Sequence, residues 1–85
     1  MDDEITQMER AFGEAARQCL RVIETVPLTD VQHKKLAQWM FGCQLQQQNI
    51  RGRVGQRGRP ELRKALKYIG KVCEYLIEIE TTMIE

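Results

Sequence analysis

Apolar residues return at alternating steps of three and four in three separate blocks of this sequence, and the blocks are parted by proline and glycine. In the first block Ile5, Met8, Phe12, Ala15, Cys19, Val22 and Val26 follow that rhythm, which is the period of one helix face. Pro27 restricts the residue before it and cannot donate to the helical ladder, so the spacing predicts a first helix over roughly 4–26. Thr29 stands three residues before Gln32, the pattern of a capping box in which hydroxyl and amide each satisfy a free backbone N–H. A second stripe then runs through Leu36, Met40, Cys43, Gln47, Ile50 and Val54.

Gly52, Gly55 and Gly58 interrupt that block, so the second helix is expected over about 30–52 and an Arg/Gly loop over about 52–59. Pro60 suits the first turn of a helix, where its missing N–H has no partner. The third helix is expected over about 60–83, with Leu62, Leu66, Ile69, Cys73 and Leu76 in one stripe. Ala65, Val72, Ile79 and Met83 lie beside it, so the apolar face is wide. No stretch alternates with period two for long enough to argue a strand. The expectation is all-α: a single domain spanning 1–85, a small antiparallel three-helix bundle with long helices.

An 85-residue chain buries only about 60% of the surface that its unfolded form exposes. Helices of about 23 residues reach roughly 34 Å, long for so small a domain. A slender bundle with one wide apolar face is relieved by a second copy, so homo-oligomerisation is expected to complete it. Gln47 inside an apolar stripe agrees, since a polar seam residue can fix register and partner number; alternatively it marks the wet end of a monomeric core. Gly13, Gly42 and Gly70 each sit inside a helix, at a cost of up to about 1 kcal/mol relative to alanine. Close packing of another element is the expected reason.

Several function classes are excluded or disfavoured. No apolar run approaches the roughly 18 residues of a membrane span, and the start Met1-Asp2-Asp3-Glu4 is acidic where a signal peptide is positive; the expectation is a cytoplasmic protein without a membrane role. Cys19, Cys43 and Cys73 form no close pair, and the single histidine, His33, lies ten residues from the nearest of them, which is not a zinc pattern. Buried reduced thiols are expected instead. A nucleophile needs a partner base, and His33 beside Lys34 and Lys35 offers only a solvated surface group. Glu74 and Glu78 share a helix face without an accompanying Glu-x-x-His, and no glycine is followed by the Lys-Ser or Lys-Thr of a phosphate-binding loop. The sequence therefore points away from an enzyme and names no metal and no cofactor.

The strongest functional signal is charge segregation under a formal net charge of +1. Seven carboxylates and three bases fall between Met1 and Asp30. Between Arg51 and Lys71 there are eight bases (Arg51, Arg53, Arg57, Arg59, Arg63, Lys64, Lys67 and Lys71) and one acid, Glu61. Every base between Arg51 and Arg59 is arginine, whose planar fork of donors matches phosphate oxygens. Glycines at 52, 55 and 58 would let the backbone aim N–H groups into an anion nest, at the partly positive start of the third helix. Lys64, Tyr68, Lys71 and Tyr75 share a face of that helix, with bases placed for phosphates and rings on which a nucleobase could stack. Tyrosines bordering the core and packed under lysine stems are the alternative. Trp39, on the flank of the second helix, is read as an interface anchor, with a stacking platform as the alternative.

Arg57-Gly58-Arg59-Pro60 resembles the core of an AT-hook, which implies an extended segment in the minor groove of A·T-rich DNA; Gln56 stands where that core usually has a proline. Ile50-Arg51-Gly52-Arg53-Val54-Gly55 is similar to the GxxG turn of KH domains, which implies a clamp on a nucleic-acid backbone, yet the required sheet has no segment here. The functional expectation is a binding protein for a phosphate-bearing ligand, nucleic acid first and a nucleotide or cyclic nucleotide second. Its site would comprise Arg51, Arg53, Arg57, Arg59, Arg63, Lys64, Lys67, Tyr68 and Lys71. The alternative is a protein-interaction module, an inhibitor or adaptor, that docks its basic strip on an acidic protein partner.

Overall fold

The computed structural model describes residues 3–84, which form three helices: α1 (Glu4–Thr25), α2 (Asp30–Arg57) and α3 (Pro60–Ile84). No strand occurs among the described residues. The ends of α1 and the start of α2 have local reasons. Asp3 caps α1 by accepting from the Thr6 N–H at 2.7 Å, and the acceptor bonds hold its carboxyl below the ordinary 3.8. The helix ends where Val26 turns extended ahead of Pro27, with its N–H still bonded to Val22 O at 2.9 Å. The capping box at the start of α2 is present in both directions: Gln32 N donates to Thr29 Oγ1 (3.2 Å) and Thr29 N to Gln32 Oε1 (3.0 Å).

The helices pack as the stripes require. Thr6 and Glu9 of early α1 meet Arg51 of late α2, and Gly13 meets Gln47, so sequence rises in one helix as it falls in the other. Lys35 of early α2 lies over Tyr75 of late α3, and Trp39 touches Tyr68, which gives the same antiparallel sense for α2 and α3. The molecule measures 43 × 21 × 18 Å. Its core is built from Phe12, Cys19, Leu36, Cys43, Ile50, Val72 and Ile79, all fully enclosed, with Ala15, Ala16, Val22, Ala65 and Leu76 around them.

Two expectations need correction. The break at Gly52 does not occur: α2 continues to Arg57, and only Gly58 and Arg59 separate it from α3. The buried Ile50 and the core-packed Val54 keep the apolar seam running through this stretch, and burial of that order outweighs about 1 kcal/mol for each helical glycine. The helix stops at Gly58, whose φ of 81° belongs to the left-handed region and whose N–H closes on Val54 O at 2.9 Å. In α3 the buried stripe is Leu62, Ala65, Val72, Leu76 and Ile79, whereas Leu66 and Cys73 are exposed. Cys73 is thus not a buried thiol. Met83 lies outside the described side chains.

Of the three internal glycines, two make room for a neighbour. A Cβ at Gly42 would stand 1.7 Å from Tyr68 Oη, and one at Gly13 would stand 2.7 Å from Gln47 Nε2. Gln47 uses that space to donate to Glu9 O at 2.9 Å, so the polar residue of the α2 stripe is satisfied by α1 of the same chain. Gly70 has nothing within 4 Å.

Candidate anion-binding groove

Because α2 runs through the Arg/Gly segment, its arginines are distributed by a turn of about 100° per residue instead of being gathered in a loop. Arg51 points to α1, where Nη2 donates to Glu9 Oε1 at 2.8 Å and Thr6 Oγ1 at 3.2 Å. The bond to Glu9 holds the guanidinium above its ordinary pKa. Arg59, in the short connection, lies 3.7 Å from Glu4 of α1, both side chains largely in solvent. Arg51 and, more loosely, Arg59 thus face carboxylates of α1 and do not join the other bases in one cluster.

Arg53 and Arg57 turn the other way. Together with Asn49 and Gln56 of α2 and Glu61 and Lys64 of α3 they line an open groove of about 570 Å³. Arg53 Nη1 is held by Gln46 Oε1, which orients its fork without cancelling its charge. Arg57 has no carboxylate partner among the described residues. Lys64 Nζ reaches Glu61 Oε1 at 3.4 Å, and the Glu61 carboxylate is the one buried charged side chain there. A carboxylate in the first turn also suits the helix dipole, which offsets part of the repulsion from Arg63 and Lys64. Gly52 borders the groove and carries no side chain to fill it. Asn49 and Gln56 were not among the residues expected from sequence; their spacing of four and three from Arg53 and Arg53's own face was the available signal.

The remaining expected residues divide. Arg63, Lys67 and Lys71 are exposed on α3, without an ion pair among the described residues and outside the groove lining. Tyr68 is a core-bordering ring: it packs edge-on to Trp39 at 5.2 Å and tilted to Phe12 at 6.1 Å between centroids. Burial pushes its hydroxyl above the ordinary pKa. Lys35 Nζ covers the face of Tyr75 at 4.5 Å. Both tyrosines are thus engaged by neighbouring side chains, while Tyr68 and Trp39 also line a small groove of about 210 Å³ with Lys35 and Gln38; Trp39 packs against the core, with Nε1 buried and without a hydrogen-bond partner.

The backbone half of the expected site is not formed. Gly52 and Gly55 are helical, Gly58 alone has positive φ, and the first N–H groups of α3 are occupied, Glu61 N by Gly58 O (3.2 Å) and Leu62 N by Arg59 O (2.9 Å). The segment that resembles an AT-hook is a helix end, a two-residue turn and a helix start, and the GxxG likeness falls within α2; neither adopts the form its resemblance implies. No group of three or more His, Cys, Asp or Glu side chains able to hold a metal occurs among the described residues, and no helix is long and apolar enough to cross a membrane. No protein-family model matches the chain, and neither the curated proteins nor the solved structures include one significantly similar to it.

Proposed function

We propose that this chain is a non-enzymatic binding protein that receives the phosphate backbone of a nucleic acid in the groove between the end of α2 and the start of α3. The observation that supports the reading is the convergence of Arg53, Arg57 and Lys64 on one open groove whose other polar walls are the amides of Asn49 and Gln56 and the Glu61 carboxylate, so that three bases face one acid. Arginine forks bond phosphate oxygens in pairs, and amide side chains add contacts to phosphate and sugar without sequence information. The groove is open to solvent, which suits a polymer better than a small nucleotide that needs enclosure. The same proposal includes an oligomeric form of the chain.

The test is fluorescence anisotropy of a labelled oligonucleotide at several salt concentrations. Three phosphate contacts give a slope of about −2.7 in log affinity against log salt on a duplex, hence about 40-fold weaker binding at 200 mM than at 50 mM. Arg57→Ala should flatten that slope by about 0.9. No binding at low salt, or a slope untouched by Arg57→Ala and Arg53→Ala, refutes the groove. Equal binding to polyglutamate and to oligonucleotide would assign the basic surface to an acidic protein partner instead.

A further inference from the structure

Leu66, Gly70, Cys73 and Ile77 follow one another along α3 at steps of four, three and four, so they share one face of the helix. The fold uses none of them. Leu66 is 57% exposed and Ile77 61%, Cys73 is an exposed free thiol, and a Cβ added at Gly70 would meet nothing within 4 Å. The face therefore carries a bulky aliphatic group at each end and small residues at its middle, where another backbone could come close.

One edge of this face has a charge order of its own. Arg63 and Lys67 precede its midpoint and Glu74 and Glu78 follow it; all four are exposed, and among the described residues none is held in an ion pair. We infer that the face is the seam of a two-fold symmetric dimer in which α3 of a second copy of this chain runs antiparallel to α3. With the axis midway between Gly70 and Cys73, Leu66 lies opposite Ile77 of the partner subunit and Cys73 opposite Gly70 of the partner subunit. The edge then sets Arg63 near Glu78 of the partner subunit and Lys67 near Glu74 of the partner subunit, and the two-fold repeats both pairs. A parallel two-fold places the two charged edges on opposite sides of the seam, so neither pair forms. Flanking charges of this kind select partner and orientation, and a self-complementary patch is what an isologous dimer requires. Phe41 and Leu45 of α2 are also exposed, but Lys34, Gln38 and Gln48 around them give no such complement. The inference deepens the reading of the chain as an oligomer and is independent of its ligand.

Sedimentation equilibrium of the full chain, from micromolar to millimolar, is the test. The wild type should dimerise. Arg63→Glu with Lys67→Glu gives an all-acidic edge and Glu74→Lys with Glu78→Lys an all-basic one; each should weaken self-association at least about tenfold, and an equimolar mixture of the two should restore it as a heterodimer. All four positions are exposed, so far-UV circular dichroism should be unchanged. Orientation is read in a Cys73→Ser background with a short bis-maleimide: Leu66→Cys should crosslink to Ile77→Cys but not to itself, because like positions lie about 16 Å apart along an antiparallel seam. A monomeric wild type overturns both this inference and the oligomer reading. A dimer indifferent to both charge reversals overturns the seam and leaves the oligomer reading standing, and self-crosslinking of Leu66→Cys overturns the antiparallel orientation.

Discussion

Replacing Gly42 by alanine sets two physical terms against each other within α2. Helix propensity alone favours the change by about 0.8–1 kcal/mol. Against it, the new Cβ would stand 1.7 Å from Tyr68 Oη and 3.0 Å from Cζ, far inside van der Waals contact. The phenol cannot yield cheaply, because the same ring is held between Trp39 and Phe12. Overpacking of this kind costs about 1–3 kcal/mol, and loosening two ring contacts adds about 0.5–1.5 kcal/mol for each. The net loss is about 3 kcal/mol, which for a domain of this size lowers Tm by about 12–24 °C. Gly52→Ala and Gly55→Ala are the controls, since an added Cβ meets nothing within 4 Å at either; each should raise Tm by about 3–8 °C. Gly13→Ala falls between them, because the obstructing group is the amide end of Gln47 and the lost bond to Glu9 O, worth about 1 kcal/mol, offsets the propensity gain. Thermal denaturation followed by far-UV circular dichroism at one fixed protein concentration separates the three cases. If Gly42→Ala stabilises as much as Gly52→Ala, Tyr68 does not lie on α2, and the account of how α2 and α3 meet is wrong.

The thiols should differ in reactivity. Burial pushes Cys19 up to about 11 and Cys43 up to about 12, so at pH 8 a disulfide reagent should titrate Cys73 alone in the folded protein and all three after denaturation. Because those two groups ionise at their ordinary 9.0 only when unfolded, their contribution to stability should be constant below pH 9 and fall as pH rises from there toward 12. At the acid end, the depressed pKa of Asp3 stabilises α1 above 3.8, and that contribution should disappear as pH drops through its lower folded value; Asp3→Ala should abolish this part of the acid transition. Arg51→Ala should lower Tm at low salt and less at high salt, because it breaks the link from α2 to Glu9 and Thr6, while Arg57→Ala should leave Tm unchanged.

The helical plan was legible because each boundary had its own chemistry on display: Pro27 after α1, the Thr29 and Gln32 box before α2, Pro60 at the start of α3. The stripes of α1 and α2 also read correctly, down to Gln47, although what that amide bonds required knowing that Gly13 leaves it space. The connection before α3 was misread because glycine was weighed as a breaker while Ile50 and Val54 continued the seam. In α3 two apolar stripes cross, and spacing alone could not rank small Ala65 and Val72 above larger Leu66; the decision belongs to the shape of α1 and α2. Tyr68 was equally undecidable, since only the cavity at Gly42 turns it from a surface ring into a packed one.

Continuing the helix through Gly52 and Gly55 has a further consequence for charge. Bases that are neighbours in sequence become separated in space, because each residue advances the side chain by about 100°. Arg51 and Arg59 go to the carboxylates of α1, Arg53, Arg57 and Lys64 to the groove, and Arg63 and Lys67 to the outer edge of α3. A loop would have delivered a single dense cluster able to saturate one phosphate. The helices deliver three small sets, of which the first faces the carboxylates of α1 and the second has the amides of Asn49 and Gln56 beside it. Two grooves on a symmetric dimer would restore the charge density that one chain lacks. Double substitution of Arg53 and Arg57 should therefore reduce oligonucleotide binding without touching the monomer–dimer equilibrium, whereas the all-acidic edge variant should reduce binding mainly through loss of the second groove. That difference is read by comparing anisotropy titrations above and below the dimerisation midpoint with the all-basic edge variant beside the all-acidic one, and a loss in the all-acidic variant alone would refute the division of labour.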